Sequence, residues 1–208
     1  METLRERKKQ RTREALLRTA LELFTTRGYE DTTVDDIADA VEVSQRTFFR
    51  YFAGKEEAAL ALQEMAETHF LRAVRERPAH EPPMEALRQA VLESWDSLSE
   101  VVESVAPVEV FLRMYQVIES TPVLLAAHLR RSLETEEAIA RVLAEREGVD
   151  IDADPRPRLA VAVFGGVMRL TERRWSTGEE ASLDAIRALT VQYLEQVGPA
   201  LTGSWRTH

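Results

Sequence analysis

The apolar residues of this chain recur at intervals of three and four, and this spacing constrains the fold more than any other feature. Within residues 12–28, five apolar side chains share one helical face, at Leu16, Leu17, Ala20, Leu23 and Phe24. Similar stripes cover most of the 208 residues, and no stretch alternates long enough to predict a strand. The sequence therefore predicts an all-α protein of about nine helices.

Glycines, prolines and capping residues divide these stripes into separate predicted helices. Gly28 ends the first helix. Thr33 and Asp36 have the spacing of a capping box, and Ser44 is the N-cap of a second short helix that runs through Tyr51. Longer helices are predicted over residues 55–77, 84–104, 107–120, 122–147, 158–177 and 181–201.

The composition excludes several classes of protein. The chain has no cysteine, which rules out disulfides and zinc–thiolate sites and favours a reducing cytoplasm. The charged N-terminus lacks the apolar segment of a secretory signal. The longest apolar run, residues 159–168, is too short to span a bilayer, so no membrane partner is expected.

Charge is distributed unevenly along the chain. Residues 1–55 hold 11 basic and 10 acidic side chains, whereas the remaining 153 residues hold 16 and 26. Six of the basic residues fall within the first 13 positions. This pattern is typical of a small DNA-reading head on an acidic body, and a solvated basic tail is the alternative.

The string VSQRTFFRYFAGKEE, residues 43–57, concentrates cationic and aromatic side chains. Two short helices joined by about four residues and preceded by a longer one indicate a helix-turn-helix unit. The first turn of the second short helix then enters the major groove, where Gln45 suits adenine and Arg46 suits guanine. Arg50 lies on the same face as Arg46, one turn later.

The aromatic residues of this string divide between core and surface. Phe48 and Phe52 are four residues apart and are predicted to pack beneath the helix. Phe49 is placed to touch a thymine methyl group or a sugar, and Tyr51 and Lys55 are placed near phosphates. The alternative is a cationic and aromatic helix end that merely packs.

The segment TTVDDIADAVEVSQRTFFRYFAGKEEA resembles the DNA-binding head of the TetR family of bacterial regulators, and the resemblance covers residues 12–60. It implies that Thr33 binds a phosphate as well as capping its helix, and that Gln45, Arg46 and Thr47 lie in the major groove. Tyr51 and Lys55 would contact phosphates. The candidate DNA-binding residues are Thr33, Ser44, Gln45, Arg46, Thr47, Phe49, Arg50, Tyr51 and Lys55.

Two positions depart from the family pattern. Residue 49 is Phe where the family usually has Tyr, so a hydroxyl contact is replaced by an apolar one. Residue 42 is Glu where the turn usually has Gly, which costs roughly 1 kcal/mol if that residue requires a positive φ.

The basic N-terminus acquires a role from this resemblance. Arms that precede such heads reach the minor groove or the DNA backbone, and arginine suits both. Arg7, Lys8, Lys9 and Arg11 are therefore expected to contribute nonspecific affinity, within a DNA-binding domain of residues 1–55.

The rest of the chain, residues 56–208, is predicted to form a dimerisation and ligand-binding domain. Residues 159–168 are apolar on all faces, and burying such a helix requires either a partner chain or a central place in the core. The resemblance implies a homodimer whose last two helices pair with their mates, and residues 173–185 resemble the junction between those helices. The candidate interface residues are Leu159, Val163, Gly166, Val167, Leu170, Ile186, Leu189, Tyr193 and Val197.

The resemblance also implies a small-molecule pocket among the middle helices, and plain core packing is the alternative for each candidate. Methionine and aromatic side chains suit an adaptable apolar site. The head is further similar to a subgroup that binds acyl-CoA-like ligands, and Arg113, Arg130 and Arg131 supply cations unless they are only solvated. The pocket candidates are Phe70, Trp95, Phe111, Met114, Tyr115, His128 and Met168.

Other classes of function find less support. No catalytic motif is present, the four histidines are scattered, and no cofactor or metal is expected. Asp150, Asp152 and Asp154 imitate the start of a calcium loop, but Pro155 and Val161 occupy its glycine and glutamate positions. The expected function is a ligand-responsive repressor that binds a palindromic operator as a homodimer. An activator of the same fold and a helical protein-interaction adaptor are the alternatives.

Overall fold

The computed structural model describes residues 4–103, 105–178, 182–203 and 205, and within them every regular element is an α-helix. The predicted all-α class is confirmed, with eleven helices in this part of the chain rather than about nine. They are α1 Leu4–Thr26, α2 Val34–Ala40, α3 Gln45–Phe49, α4 Lys55–Glu76, α5 Pro83–Asp96, α6 Leu98–Val102, α7 Val108–Ser120, α8 Pro122–Glu147, α9 Arg156–Ser176, α10 Leu183–Glu195 and α11 Val197–Thr202.

Two predicted continuous helices are each broken. Between α5 and α6, the Glu93 carbonyl accepts both the Ser97 amide at 3.0 Å and the Ser97 hydroxyl at 2.8 Å, an arrangement that often bends helices. Between α10 and α11, Pro199 has no N–H for the carbonyl of Glu195, four residues earlier. The predicted helix ends at residues 104 and 181 lie outside the described residues.

The first helix begins earlier than the predicted residues 12–28. It begins at Leu4, so the basic residues of the N-terminal arm lie on a helix. Gly28 does follow the end of this helix, with a φ of 103° that a side chain would disfavour. The cationic side chains therefore have fixed positions around the helix axis, and this register decides which of them lie together.

The chain folds into two compact units, which are described separately. Unit 1 comprises residues 1–66 and 98–129. In it, α1 packs against α2 and α7, and the Arg18 guanidinium donates to the Val105 carbonyl at 3.1 Å. The buried side chains of this unit include Leu16, Leu17, Phe24, Ile37, Phe48, Phe52, Phe111, Met114 and Ile118.

Unit 2 comprises residues 67–97 and 130–208, and α5, α9 and α10 pack on one another within it. Trp175 is 1% exposed, and its indole N–H donates to the Ser182 carbonyl at 3.1 Å. The Arg146 guanidinium donates to the carbonyls of Arg77 and Pro78 at 2.6 and 2.8 Å. These bonds hold the segment that directly follows α4, where the Pro78 carbonyl also accepts from the Glu81 amide at 3.1 Å.

In the described residues, no helix combines the length and apolarity needed to cross a membrane.

Candidate functional site

The start of α2 is fixed by a reciprocal cap. The Asp36 amide donates to the Thr33 hydroxyl oxygen at 3.1 Å, and the Thr33 amide donates to the Asp36 carboxylate at 2.8 Å. The predicted capping box is confirmed. Hydrogen bonds from the Thr33 hydroxyl and amide, with the Arg27 guanidinium nearby, lower the pKa of Asp36. Thr33 is exposed, and its hydroxyl already donates to the Asp36 carboxylate at 2.6 Å, so its predicted phosphate contact stays a prediction.

The turn between α2 and α3 contains the strained residue that the sequence suggested. Glu42 has a φ of 55°, the region that favours glycine. The Val43 amide then donates to the Ala38 carbonyl at 3.0 Å, which closes the turn and directs the chain into α3. Glu42 therefore adopts a backbone conformation that costs a non-glycine residue free energy of folding.

Helix α3 is capped at its N-terminus and held in place by buried side chains on its inner side. The Thr47 amide donates to the Ser44 hydroxyl oxygen at 3.2 Å, which confirms Ser44 as the N-cap. Phe48 and Phe52 are 0% and 1% exposed, as predicted, with ring centroids 5.5 Å apart. The helix ends at Phe49 rather than at Tyr51, because the Tyr51 amide bonds the Phe48 carbonyl in a tighter turn.

The outer side of α3 is exposed and polar. Gln45 and Arg46 are exposed in the first turn, and Phe49 retains 50% of its accessible surface. A shallow cleft of about 390 Å³ runs along this side. It is lined by Ser44, Arg46, Thr47, Phe49 and Arg50.

Arg50 and Tyr51 form a pair at the end of α3. The Arg50 guanidinium donates to the Tyr51 phenol oxygen at 3.1 Å, and its central carbon lies 4.9 Å from the ring centroid. Because the phenol oxygen accepts this bond, the phenol's own proton points elsewhere and remains available to an acceptor. The pair is suited to an anionic oxygen.

Lys55 takes part in a structural contact that the sequence did not predict. Its ammonium donates to the carbonyls of Tyr29 and Thr32 at 2.8 and 3.2 Å and lies 4.1 Å from the Tyr29 ring centroid. Burial, with the Glu56 and Glu30 carboxylates, raises the pKa of Tyr29 to about 12. One of the three ammonium protons remains for a phosphate, so the predicted phosphate contact stays a prediction.

A second cleft of about 360 Å³ lies where α1 passes the end of α3. Among the described residues, six line it: Arg5, Lys8, Lys9, Thr12, Arg50 and Tyr51. Sequence reasoning missed this grouping because it took neighbouring cations together. The spacing of residues 5, 8, 9 and 12 is the helical signal that identifies it.

The seven pocket candidates divide between the two units. In unit 1, Met114 is 0% exposed and the rings of Phe111, Tyr115 and His128 form a buried series, with centroid distances of 5.2 and 6.3 Å. In unit 2, Phe70 stacks on Phe164 at 5.5 Å, Trp95 is 8% exposed and Met168 is half-buried. Whether any of the seven contacts a ligand stays a prediction.

Two buried polar side chains are energetically unusual. Gln63 in unit 1 is 1% exposed, and neither its amide nitrogen nor its amide oxygen has a hydrogen-bond partner among the described residues. The Trp95 indole N–H of unit 2 also has none in this part of the chain. Each unsatisfied buried group costs about 1–3 kcal/mol. Sequence reasoning did not select Gln63, which follows the buried residues Ala59, Leu60 and Leu62 of α4.

The interface candidates lie on α9, α10 and α11 in unit 2. Leu159 and Leu170 are 60% and 58% exposed, so a single chain does not bury α9 on all sides. Ile186 differs, because it is 0% exposed within its own chain and offers no surface to a partner. The set is completed by half-buried residues at Val163, Gly166, Val167, Leu189, Tyr193 and Val197. The predicted junction, residues 173–185, lies partly outside the described residues.

Comparisons with known proteins agree with this architecture. Residues 16–62 match the family model of bacterial regulatory proteins of the tetR family, and residues 81–199 match the MftR C-terminal domain. The chain is 44% identical over 203 residues to the HTH-type transcriptional regulator TcmR of Streptomyces glaucescens, covering 98% of this chain and 90% of TcmR.

Solved structures with low sequence identity share the fold. The SmeT–triclosan complex has a TM-score of 0.62 at 19% identity, covering 89% of this chain and 90% of that one. FadR of Thermus thermophilus, a transcriptional repressor in complex with lauroyl-CoA, has a TM-score of 0.53 at 22% identity, covering 94% and 98%. With its helix-turn-helix head and its matches along nearly the whole length, the chain belongs to the TetR family of bacterial transcriptional regulators and is not an enzyme.

Proposed function

We propose that this regulator is a ligand-responsive repressor that binds an inverted-repeat operator as a homodimer. The observation that carries the proposal is the presentation of α3. Its N-terminus is capped by Ser44, its inner side is fixed by Phe48 and Phe52, and its outer side exposes Gln45 and Arg46. A rigid short helix with exposed hydrogen-bonding groups in its first turn is what major-groove reading requires.

The exposed groups divide by the kind of DNA contact they make. Gln45 and Arg46 are suited to bidentate bonds with adenine and guanine edges, and the half-exposed Phe49 ring is suited to a thymine methyl group. Arg50 and Tyr51 are suited to phosphates, which set register without reading bases. Occupancy of the operator would block polymerase in the cytoplasm, where the DNA lies.

The dimer is supported by the outer face of α9. Leu159 and Leu170 lie eleven residues apart, three helical turns, and are both more than half exposed. Gly166 between them has open space where a Cβ would be, so another backbone can approach closely. A two-fold partner would bury this apolar face against its own copy and present two heads to two half-sites.

Selection of sheared genomic DNA by the purified protein, followed by sequencing, tests DNA reading. An enriched inverted repeat is expected for the wild type. Arg46→Ala should relax the preference at one position of each half-site, whereas Tyr51→Ala should weaken binding evenly across sequences. Absence of enrichment at low salt would overturn the proposal. In vitro transcription from the recovered site then distinguishes repression from activation.

An effector that releases the DNA is the second part of the proposal, and Gln63 supports it. A buried carboxamide without partners in the described structure is explained if a ligand supplies an acceptor and a donor. The surrounding unit provides apolar and aromatic side chains, so the effector is expected to be mainly apolar with at least one hydrogen-bonding group. Acyl-CoA-like molecules are one candidate class, as FadR of Thermus thermophilus was solved with lauroyl-CoA.

Gln63→Met tests this role. Removing the unsatisfied amide should stabilise the unliganded protein by about 1–3 kcal/mol and leave operator affinity unchanged. The concentration of effector that releases the operator should rise about tenfold or more once an effector has been found, with lauroyl-CoA as the first compound to try. A variant that is both less stable and equally responsive would contradict the role.

A further inference from the structure

We propose that Lys8 and Lys9 are a modification site, at which a small acyl phosphate converts two ammonium groups into neutral amides and thereby weakens operator binding. The effect on the operator rests on the proposed function, whereas the modification itself does not. Control of this kind acts on the DNA-binding head directly and is independent of an effector bound elsewhere in the chain.

The choice of basic residue along the chain is the first observation. Of the 27 basic residues, three are lysine, at positions 8, 9 and 55, and all the others are arginine. Either residue attracts DNA phosphates, but the arginine guanidinium stays protonated, and only the lysine charge can be removed by acylation. The side chains that can lose their charge in this way are therefore confined to the predicted DNA-binding domain, residues 1–55.

The three lysines differ in how their amines are engaged. Lys8 and Lys9 are exposed, and within the part of the chain that the structure describes their ammonium groups form no hydrogen bond or ion pair. Lys55 instead donates to the carbonyls of Tyr29 and Thr32 at 2.8 and 3.2 Å and lies 4.1 Å from the Tyr29 ring centroid. Reaction at Lys55 requires the loss of these contacts, so Lys8 and Lys9 are the reactive pair.

The cleft that Lys8 and Lys9 line suits an anionic acyl donor. Its volume of about 360 Å³ is large enough for a small molecule such as acetyl phosphate. Four of its six described lining residues are cations, at positions 5, 8, 9 and 50, and none of the six is acidic. Arg50 can hold the phosphate group by paired hydrogen bonds, which keeps the acyl group beside the amines of α1.

The reaction is an acyl transfer that needs no oxidant or reductant. The neutral lysine amine attacks the acyl carbon, a nitrogen–carbon bond forms, and the bond from that carbon to the phosphate oxygen breaks. The phosphate leaves with the electron pair. Of the two protons that the ammonium group gives up, one goes to the phosphate and the other to water. Each event replaces one positive charge with a neutral amide.

Loss of these charges weakens the attraction of the head for DNA. Fewer cations release fewer counterions from the duplex, so the salt dependence of binding falls with the affinity. Neutralising both lysines should lower the slope of log affinity against log salt by up to roughly 2 and weaken binding about tenfold or more at low salt. Arg5, Arg7 and Arg11 keep their charge, so binding is weakened and not abolished.

The first test maps the modification in the full-length protein. The protein is treated with acetyl phosphate, and mass spectrometry of its peptides follows each lysine over time. Lys8 and Lys9 should be acetylated at least about tenfold faster than Lys55. Arg50→Ala should slow their reaction about threefold or more and leave the rate at Lys55 unchanged. Equal rates at all three lysines, or rates at Lys8 and Lys9 that ignore Arg50→Ala, would overturn the site.

The second test measures operator affinity by fluorescence anisotropy before and after treatment. Lys8→Arg/Lys9→Arg is the matched variant, because it keeps both charges and offers no amine at either position. Each protein is compared with its own untreated sample. Treatment should weaken binding by the wild type about tenfold or more and by the variant less than about twofold.

The outcomes separate the modification from the proposed function. Equal losses in the wild type and the variant would assign the effect to another amine and overturn the inference. Unchanged affinity of a wild-type protein that is acetylated at both lysines would also overturn it. A wild-type protein that binds no operator before treatment would instead overturn the proposed function, and the map of acetylated lysines would be unaffected.

Discussion

At the scale of single residues, Glu42 shows that a turn can contain glutamate in place of glycine at a cost in folding free energy. Its φ of 55° places a side chain where the α2–α3 turn favours glycine. Glu42→Gly should therefore raise the free energy of unfolding by about 1 kcal/mol, measured by chemical denaturation. The contacts that close the turn come from the backbone, so operator affinity should change little.

Glu42→Ala separates backbone strain from charge in this prediction. Alanine removes the carboxylate but keeps the Cβ that opposes the left-handed conformation. Its stability should stay within about 0.5 kcal/mol of the wild type. An alanine variant as stable as the glycine variant would show that charge, and not the backbone, is the cause.

Tyr29 makes the stability of the DNA-binding head depend on pH in alkaline solution. The folded state raises its pKa to about 12, whereas an unfolded tyrosine ionises near pH 10. The raised folded pKa contributes stability that is complete below about pH 10 and is lost as the pH rises towards 12, by up to about 1.4 kcal/mol per pH unit. Tyr29→Phe keeps the ring and the carbonyl that Lys55 contacts, and it should remove this part of the slope. Identical slopes for both proteins would contradict the assignment.

At the scale of helices, the sequence predicted boundaries that are set by local chemistry. Thr33, Ser44 and Gly28 act through their own side chains or φ angles, and their helix ends lie where the sequence indicated. The break at Ser97 was not predicted, because a serine that bonds to the preceding turn is equally compatible with a continuous helix. The sequence did not predict that α1 begins at Leu4. The residues before its apolar stripe are mostly charged, and charge alone does not indicate a helix.

Helix α9 offers a prediction about close packing. A Cβ at Gly165 would overlap the Glu136 carboxylate, which pairs with Arg169. Gly165→Ala should therefore gain less than the roughly 1 kcal/mol expected from helix propensity, because Glu136 must move. In a Glu136→Ala background the full gain should return, as measured by a double-mutant cycle in chemical denaturation. The same gain in both backgrounds would contradict the proposed overlap.

At the scale of the whole molecule, the sequence predicted which side of α3 is exposed but not the sites that tertiary packing creates. Gln45, Arg46 and Phe49 are exposed where the sequence placed them, since their orientation follows from the helix and its buried Phe48. The unpartnered amide of Gln63 depends on what surrounds α4, which no local pattern specifies. The α1 cleft likewise requires α1 and α3 to meet.

The exposed face of α9 predicts which substitutions should dissociate the proposed dimer. Leu159→Glu/Leu170→Glu would place two charges in the proposed interface, and the protein should become monomeric by sedimentation equilibrium at concentrations where the wild type is dimeric. Leu133→Glu is the matched control, because Leu133 is 63% exposed on α8 and lies outside the candidate interface. Dissociation by the control and not by the double variant would place the interface elsewhere.

The most direct test of the proposed function is the affinity of the wild-type protein for its selected operator before and after one half-site is scrambled. If two linked heads read the two half-sites, scrambling one should weaken binding about 100-fold or more at constant salt, measured by fluorescence anisotropy. Equal affinity for the intact and the half-scrambled duplex would contradict the claim that this protein reads DNA as a two-fold dimer.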